Sequence, residues 1–224
     1  MKYDNITQGI FIDRPNRFIA HVEIGGTGET VHVKNTGRCK ELLIPGAEVF
    51  LTKSANPARK TRYDLVAVRK STGVLFNIDS QAPNKVVMEW LSGSGYDRVI
   101  PEYTYGSSRI DFYMEKAGKR YLMEVKGCTL EIDGIGYFPD APTERGVKHL
   151  HELMKAAEEG FDACAAFVIQ MDGVSEVRPN VITHPEFAEA WRDAETAGVR
   201  MLMLPCHVTP DELFIKTRVS DTQN

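Results

Sequence analysis

The chain has 224 residues, a formal net charge of −4 at pH 7, 42% hydrophobic residues and 26% charged residues. This composition is typical of a globular protein, and the length suffices for one large domain or two small ones. No uninterrupted apolar stretch approaches bilayer thickness, and the first residues lack the apolar core of a signal peptide. The four cysteines are widely spaced, which predicts free buried thiols. We therefore predict a cytoplasmic protein without a membrane span.

Basic residues are concentrated in the N-terminal third of the chain. From Lys53 to Lys70 the only acidic residue is Asp64, whereas the balance becomes acidic after Pro185. A polyanion responds to the local distribution of charge more than to the net charge. This asymmetry favours a nucleic-acid partner, although solvated strand faces would give the same composition.

The first eighty residues are predicted to be β-structure. Apolar alternation between glycine and proline turns predicts strands at 17–24, 30–34, 47–52, 62–69 and 74–78. Five short strands of this kind predict a small barrel of the OB type, assigned to residues 1–82. Such barrels bind single-stranded nucleic acid or sugars, and many bind only protein.

A second unit, residues 83–224, is predicted to be an α/β domain. Pro83 is suited to the first position of a helix that ends near Gly93. Later segments alternate between helix and strand, with helices after Thr143 and at 185–197 and strands at 163–170 and 199–204. This order predicts parallel strands joined by right-handed crossovers. Residues 217–224 are predicted to be a frayed polar tail.

A β-hairpin is predicted around Ala117-Gly118. Its register would place Asp111 opposite Glu124 and Arg109 opposite Lys126, with all four side chains on one face. The other face would be buried and would carry Ile110, Phe112, Met114, Tyr121, Met123 and Val125.

Two carboxylates opposite each other repel, and a bound cation converts that repulsion into attraction. Mg²⁺ prefers hard oxygen ligands, which Asp111, Glu124 and the Val125 carbonyl would provide. Lys126 would place an ammonium near the attacking water or the phosphate, and Glu102 could complete the site. A solvated face held by weak ion pairs is the alternative.

The segment that enters the second helix is also rich in functional groups. Thr143 is a predicted N-cap, and Asp140 lies in the loop before it. A helix N-terminus attracts phosphate, and Arg145 and His149 recur at helical spacing on the polar face. Gly146 lowers helix stability, so a close backbone approach would explain it. The alternative is that Thr143 and Asp140 only cap the helix.

Several sequence strings occur in order over nearly the whole chain. They are RFIA at 17–20, NTGR at 35–38, ELLIPG at 41–46, RKT at 59–61, YGSSRIDF at 105–112, EVK at 124–126 and FPDA at 138–141. Together they resemble the sugar fermentation stimulation protein A (SfsA) family. Lys34 stands where the family usually has proline, which adds positive charge before the second string.

The resemblance implies a fold and a function. It implies an OB-like barrel followed by an α/β domain resembling PD-(D/E)XK nucleases, and DNA binding largely without sequence preference. It also implies a link to the regulation of maltose and other sugar metabolism. The nuclease-like motif transfers onto Asp111, Glu124 and Lys126, with Glu102 as the preceding acid and Mg²⁺ or Mn²⁺ as the expected cofactor.

Three hypotheses follow for the function. The first is a DNA-binding protein with a nuclease-like metal site, and the second is an active metal-dependent DNA or RNA phosphodiesterase. The third is a carbohydrate-binding barrel. For nucleic acid, the predicted contact residues are Arg17, Arg38, Arg59, Lys60, Arg62, Arg109, Arg145 and His149.

Overall fold

The N-terminal part of the chain is a closed β-barrel. The computed structural model describes residues 1–35, 37–54, 56 and 58–216. The first six strands are β1 Ile6–Asn16, β2 Ile19–Ile24, β3 Thr27–Val33, β4 Glu48–Lys53, β5 Tyr63–Arg69 and β6 Leu75–Asn77. Strands pair in the order β3-β2-β1-β4-β5, and a parallel pairing of β3 with β5 closes the ring. The predicted OB-type barrel is therefore confirmed.

The strands that form the ring differ from the predicted five. β1 was not predicted, and the segment 74–78 forms β6, which pairs with β5 outside the ring. β1 lacks a clean alternation of buried apolar and exposed polar residues, because Ile10 and Ile12 are exposed and the strand bends at two register shifts. Gly9 permits a close approach, since a Cβ atom there would lie 2.5 Å from a Val22 methyl carbon. A short-range apolar pattern does not detect such a strand.

The C-terminal part is a six-stranded mixed sheet covered by helices on both faces. Its elements are α1 Ala82–Ser92, β7 Arg98–Tyr105, β8 Ser108–Lys116, β9 Lys119–Cys128, β10 Leu130–Ile132, β11 Ile135–Phe138, α2 Glu144–Glu158, β12 Asp162–Ile169, β13 Val177–Pro179, α3 Pro185–Thr196, β14 Arg200–Val208 and β15 Leu213–Ile215. The sheet order is β15-β14-β12-β9-β8-β7, with β9, β12 and β14 mutually parallel. The predicted α/β domain is confirmed, whereas the small sheet β10-β11-β13 was not predicted.

The β8–β9 hairpin has the predicted register from Phe112–Met123 to Lys116–Lys119, but the predicted pairs Asp111–Glu124 and Arg109–Lys126 lie beyond the paired residues. Its burial also differs from the prediction. Phe112 pairs with Met123 and Lys116 with Lys119 around the Ala117-Gly118 turn. Both faces of the hairpin are buried, because α1 covers one face and α2 the other. Ile110 packs in the cluster on the α2 side rather than with Phe112, so the predicted single apolar face is wrong at that position. The alternation changes at Asp111, which lies between them.

The barrel and the sheet share buried polar contacts. The side chain of Gln170, just after β12, donates to the Asn77 side-chain oxygen at 2.9 Å and to the Asp79 carbonyl at 3.2 Å. Asp79 is fully buried and accepts from Lys34 at 3.0 Å. These bonds hold the end of the barrel against the end of β12, since buried polar groups require partners.

The four cysteines are buried free thiols, as predicted. In the described ranges, no helix has both the length and the apolar character that crossing a bilayer demands. The predicted tail at 217–224 lies outside the described residues.

Candidate metal and nucleic-acid site

Glu124 lies at the centre of a buried charged cluster on β9. Its side chain is almost fully buried between the sheet and α2. Lys126 donates from Nζ to Glu124 Oε1 at 2.6 Å, and His149 of α2 contacts the same oxygen through Nδ1. Strand alternation puts residues 124 and 126 on one face, and α2 places His149 above them.

The hydrogen bonds of His149 define its tautomer. Arg145 donates from Nε to His149 Nε2 at 3.2 Å, so Nε2 must be an unprotonated acceptor. The ring proton is then on Nδ1, which donates to Glu124. Lys126 Nζ lies 3.4 Å from the same Nδ1, but both atoms are donors, so Lys126 bonds to Glu124 instead. The chain Arg145–His149–Glu124–Lys126 thus fixes the Lys126 ammonium in one place.

Asp111 lies where β8 and β9 separate. Its Oδ2 accepts from the Val125 backbone N–H at 2.7 Å, and its Oδ1 accepts from Asn84 of α1 at 2.7 Å. The ladder between β8 and β9 ends one pair earlier, at Phe112 and Met123. In an extended strand the N–H and C=O of one residue point to the same edge. The Val125 carbonyl therefore points into the opening beside Asp111.

The surroundings of the two carboxylates shift their pKa values in opposite directions. Burial, and then the negative charge of Glu124, raise the pKa of Asp111 above its ordinary value. Burial also acts to raise the pKa of Glu124, but the His149 hydrogen bond and the charge of Lys126 outweigh it and hold that pKa low. Glu124 is thus kept ionised, and its charge makes the ionisation of Asp111 costly.

The oxygen atoms at this position suit a hard cation. Glu124 Oε2 is buried without a hydrogen-bond partner, which is an expensive state for a carboxylate oxygen. Within the described part of the chain, no cluster of three or more His, Cys, Asp or Glu side chains could hold a metal ion. The oxygen atoms that the sequence predicted as ligands are those of Asp111, Glu124 and the Val125 carbonyl, and of these Glu124 Oε2 is the buried one without a partner. Mg²⁺ and similar ions accept so few protein ligands because they keep several waters.

Glu102 and Arg109 lie at the edge of this region. Glu102 lines, with Asp111, a cavity of ≈ 530 Å³. Its carboxylate is exposed and pairs with Arg109 Nε at 2.9 Å. The register passes from Pro101–Phe112 to Tyr103–Ile110 without pairing Glu102, whose φ is 56°. A non-glycine residue in this conformation is strained, and strain of this kind is common at functional sites.

The start of α2 has a simpler explanation than phosphate binding. Thr143 is the N-cap, and its hydroxyl accepts from the Gly146 N–H at 3.0 Å. A Cβ atom on Gly146 would lie 2.7 Å from a Thr143 methyl carbon and 3.2 Å from Phe187. Gly146 therefore makes the close approach that was predicted, but its neighbours are the Thr143 cap and Phe187 of α3. Asp140 packs against Gly37 of the barrel, where a Cβ atom would lie 2.3 Å from its carboxylate.

The predicted basic contacts of the barrel divide into two groups. Arg59 forms a two-point ion pair with Asp64, with N–O distances of 2.7 and 3.0 Å, so its guanidinium is engaged within the barrel. Arg62 lies 3.9 Å from Glu29. The other three predicted contacts, Arg17, Arg38 and Lys60, are exposed and pair with no carboxylate among the described residues.

The sequence did not reveal the roles of Asn84 and Arg14. Asn84 orients Asp111 from a helix 27 positions away. Arg14 donates to four backbone carbonyls, those of Arg17, Asn35, Gly37 and Arg38. The Asn84 bond and three of the four Arg14 bonds join segments that are distant in sequence, so no local motif indicated them. The sequence around Arg14 resembles that of a solvated basic residue, and only the tertiary structure shows its hydrogen bonds.

The molecule is an OB barrel followed by a mixed α/β sheet with a carboxylate pair where two strands separate. Family models for the "SfsA N-terminal OB domain" and the "Sugar fermentation stimulation protein RE domain" match residues 12–78 and 81–212. The chain belongs to the sugar fermentation stimulation protein (SfsA) family.

Relatives and a solved structure agree with this assignment. A "Sugar fermentation stimulation protein homolog" of Clostridium beijerinckii is 53% identical over 223 residues, covering 98% of each chain. A homolog of Desulfitobacterium hafniense is 52% identical over 217 residues, covering 95% of this chain and 94% of the other. The structure of Pyrococcus furiosus SfsA in complex with Ca²⁺ is similar with a TM-score of 0.84 and 30% identity, covering 96% of this chain and 95% of that one.

Proposed function

We propose that this protein binds DNA largely without sequence preference and that Asp111, Glu124 and Lys126 form a nuclease-like site for a divalent cation. The observation that carries the proposal is the Glu124 Oε2 atom, which is buried and unpartnered beside a second carboxylate whose pKa is raised. A cation would satisfy this oxygen and relieve the repulsion between the two acids. The Ca²⁺ named for the Pyrococcus furiosus relative supports a divalent ion of this class.

Each residue of the site has a distinct role in the proposal. Asp111, Glu124 and the Val125 carbonyl would hold Mg²⁺ or Mn²⁺, and Asn84 fixes the orientation of Asp111. Such an ion, when bound, polarises a phosphodiester oxygen and acidifies a water molecule. Lys126 uses one donor on Glu124 and keeps others for a phosphate oxygen or the attacking water. Arg145 and His149 keep Glu124 in place, and Glu102 lies at the entrance beside Arg109.

The proposed DNA contact rests on the unpaired cations of the barrel. Arg17, Arg38 and Lys60 are exposed, and their charges are not neutralised by neighbouring carboxylates in the described ranges. Contacts to phosphates give affinity that is independent of sequence and falls with salt. Binding of this kind is the proposed route by which the protein affects sugar metabolism, including that of maltose. RNA has the same phosphate groups in its backbone, so it should be tested beside DNA in every assay.

The test combines metal binding with cleavage. Purified protein is incubated with single- and double-stranded DNA and with RNA, with Mg²⁺, Mn²⁺ or chelator, and Mn²⁺ binding is measured by calorimetry. We expect Glu124→Gln to abolish Mn²⁺ binding and to reduce cleavage by about 100-fold or more. Lys126→Gln is expected to reduce cleavage similarly while Mn²⁺ still binds. Glu158→Gln and Lys155→Gln, on the exposed side of α2, are the matched controls. Cleavage unaffected by both site variants would reject this site.

A non-catalytic DNA-binding protein is the second candidate. It is favoured by the small number of ligands, because Asp111 and Glu124 are the two acidic ligands proposed and Glu102 is engaged with Arg109. In that case Mn²⁺ would bind and would change stability or DNA affinity without any strand scission. The same assays separate the two candidates.

A further inference from the structure

We propose that the cavity between the barrel and the loop before α2 binds one unpaired nucleotide, so that the preferred ligand is single-stranded nucleic acid. This inference rests on the DNA-binding part of the proposed function and adds the strand preference and the place of contact. The cavity has a volume of ≈ 640 Å³, within the range of cavities that bind small molecules.

Four basic residues line the cavity. Arg14, Arg17, Arg38 and Lys40 all line it, and the last three are exposed. In the portion of the chain that is described, none of these three pairs with a carboxylate. Burial lowers the pKa of Arg14, and the negative charge of the nearby Asp140 acts in the opposite direction. Three uncompensated cations around one concave surface attract a phosphate, and arginine binds it through two donors.

Apolar residues also line the cavity. Leu43, Pro45 and Ala141 line it together with Phe11 of β1. Phe18 follows the lining residue Arg17 and has half of its surface exposed, and the Arg17 guanidinium lies 5.7 Å from its ring centre. A phosphate alone does not need an apolar wall, whereas a nucleotide carries both an anionic group and a flat apolar ring. Exposed aromatic rings beside cations are the usual platform for unpaired bases.

A base inside a duplex is stacked and paired and cannot enter such a cavity. A nucleotide that enters must therefore come from a single strand, a frayed end or a base that has left the helix. The position on the barrel agrees, because the turn from β1 to β2 supplies Arg17 and Phe18, and OB barrels commonly bind oligonucleotides beside this turn.

The cavity is held open before any ligand arrives. Arg14 donates to the carbonyls of Arg17 and Asn35 through one nitrogen and to those of Gly37 and Arg38 through the other. It thereby joins the β1–β2 turn to the 35–38 segment. A preformed cavity lowers the entropy cost of binding. We infer that Arg14 is a positioning residue, while Arg17, Arg38 and Lys40 contact the ligand.

The test measures binding by calorimetry in the presence of chelator, so that the metal site does not contribute. The probes are dAMP, inorganic phosphate, a short single-stranded DNA and its duplex. We expect dAMP to bind about tenfold or more tightly than phosphate, because stacking adds to the ionic contact. The single strand should displace dAMP and should bind more tightly than the duplex.

Variants of residues that line the cavity separate the effect of charge on binding from the effect of side-chain size. Ala141→Glu places a carboxylate in the cavity and should reduce single-strand and dAMP affinity about tenfold or more, whereas Ala141→Gln has nearly the same size and should bind like the wild type. Arg38→Ala with Lys40→Ala should also weaken dAMP binding. Lys155→Ala with Arg192→Ala removes the same charge elsewhere and is the control.

Each other result overturns the inference. These results are dAMP binding no better than phosphate, a failure of the single strand to displace dAMP, or equal losses for the single strand and the duplex in Ala141→Glu. If DNA binds but ignores both Ala141 variants, only this inference fails. If no nucleic acid binds the wild type, the DNA-binding proposal fails as well.

Discussion

The cationic cavity of the barrel and the carboxylate site of the sheet organise charge in opposite ways. In the cavity, Arg17, Arg38 and Lys40 are exposed and lack carboxylate partners in the described ranges. At the strand opening, Glu124 and Lys126 are largely buried and bonded to each other. Exposed, unpaired charges act over long distances and are screened by salt, whereas buried, paired charges act locally and on stability. The first arrangement suits a polyanion and the second suits one specific ion.

The largest effect on stability is expected at Glu124. Glu124→Met would leave the Lys126 ammonium without its buried partner, and such a loss costs about 3 kcal/mol. Denaturant unfolding of Glu124→Met, compared with the exposed control Glu158→Met, measures the difference. A change of less than about 1 kcal/mol would mean that the pair is effectively solvated, and the contrast between the two regions would then be wrong.

The effect of Asp111→Asn on folding stability should change sign when metal is added. Without metal, the raised pKa of Asp111 makes its ionised form unfavourable in the folded state, so the neutral variant should be the more stable at pH 7. This advantage should shrink as the pH falls through the folded pKa of Asp111, because the wild-type carboxyl then becomes protonated too. With Mn²⁺ at about 100 times its Kd, the wild type should gain about 2.7 kcal/mol and the variant much less.

Thermal unfolding across pH, with Mn²⁺ and with chelator, checks this prediction. Asp193→Asn on the exposed side of α3 serves as the control for loss of one carboxylate. If Mn²⁺ stabilised Asp111→Asn as much as the wild type, Asp111 would not be a ligand.

The cationic cavity should determine the salt dependence of single-strand binding. Replacing Arg17, Arg38 and Lys40 together by alanine should reduce the slope of log affinity against log salt by about 2, since each phosphate contact contributes about 0.7 for a single strand. The unfolding free energy should hardly change, because exposed unpaired charges contribute little to stability. An unchanged slope would place the phosphate contacts elsewhere.

The smallest expected effect is at the start of α2. Thr143→Ala removes the hydroxyl that accepts from the Gly146 N–H and should cost about 1 kcal/mol. Thr143→Ser keeps that acceptor and should cost much less. Chemical denaturation of the two variants measures the difference. Equal losses in both variants would assign the effect to the lost methyl packing instead of the cap.

Local patterns were sufficient for much of the fold. The Ala117-Gly118 turn and the alternation on each side predicted the β8–β9 register through Phe112 and Met123. Pro83 and Thr143 marked the first turns of α1 and α2. β1 escaped prediction because its bends and its exposed Ile10 and Ile12 obscure the alternation.

The sequence by itself determined the hairpin, the helix starts and the presence of two acids and a lysine near one strand pair, because these depend on neighbouring residues and on a fixed period. Only the tertiary structure decided how those groups are bonded. His149 fixes Glu124 from α2, Asn84 fixes Asp111 from α1, and Arg14 joins two segments of the barrel. These contacts depend on how elements far apart in the chain pack together, and burial then decides which charges are paired and which stay free for a ligand.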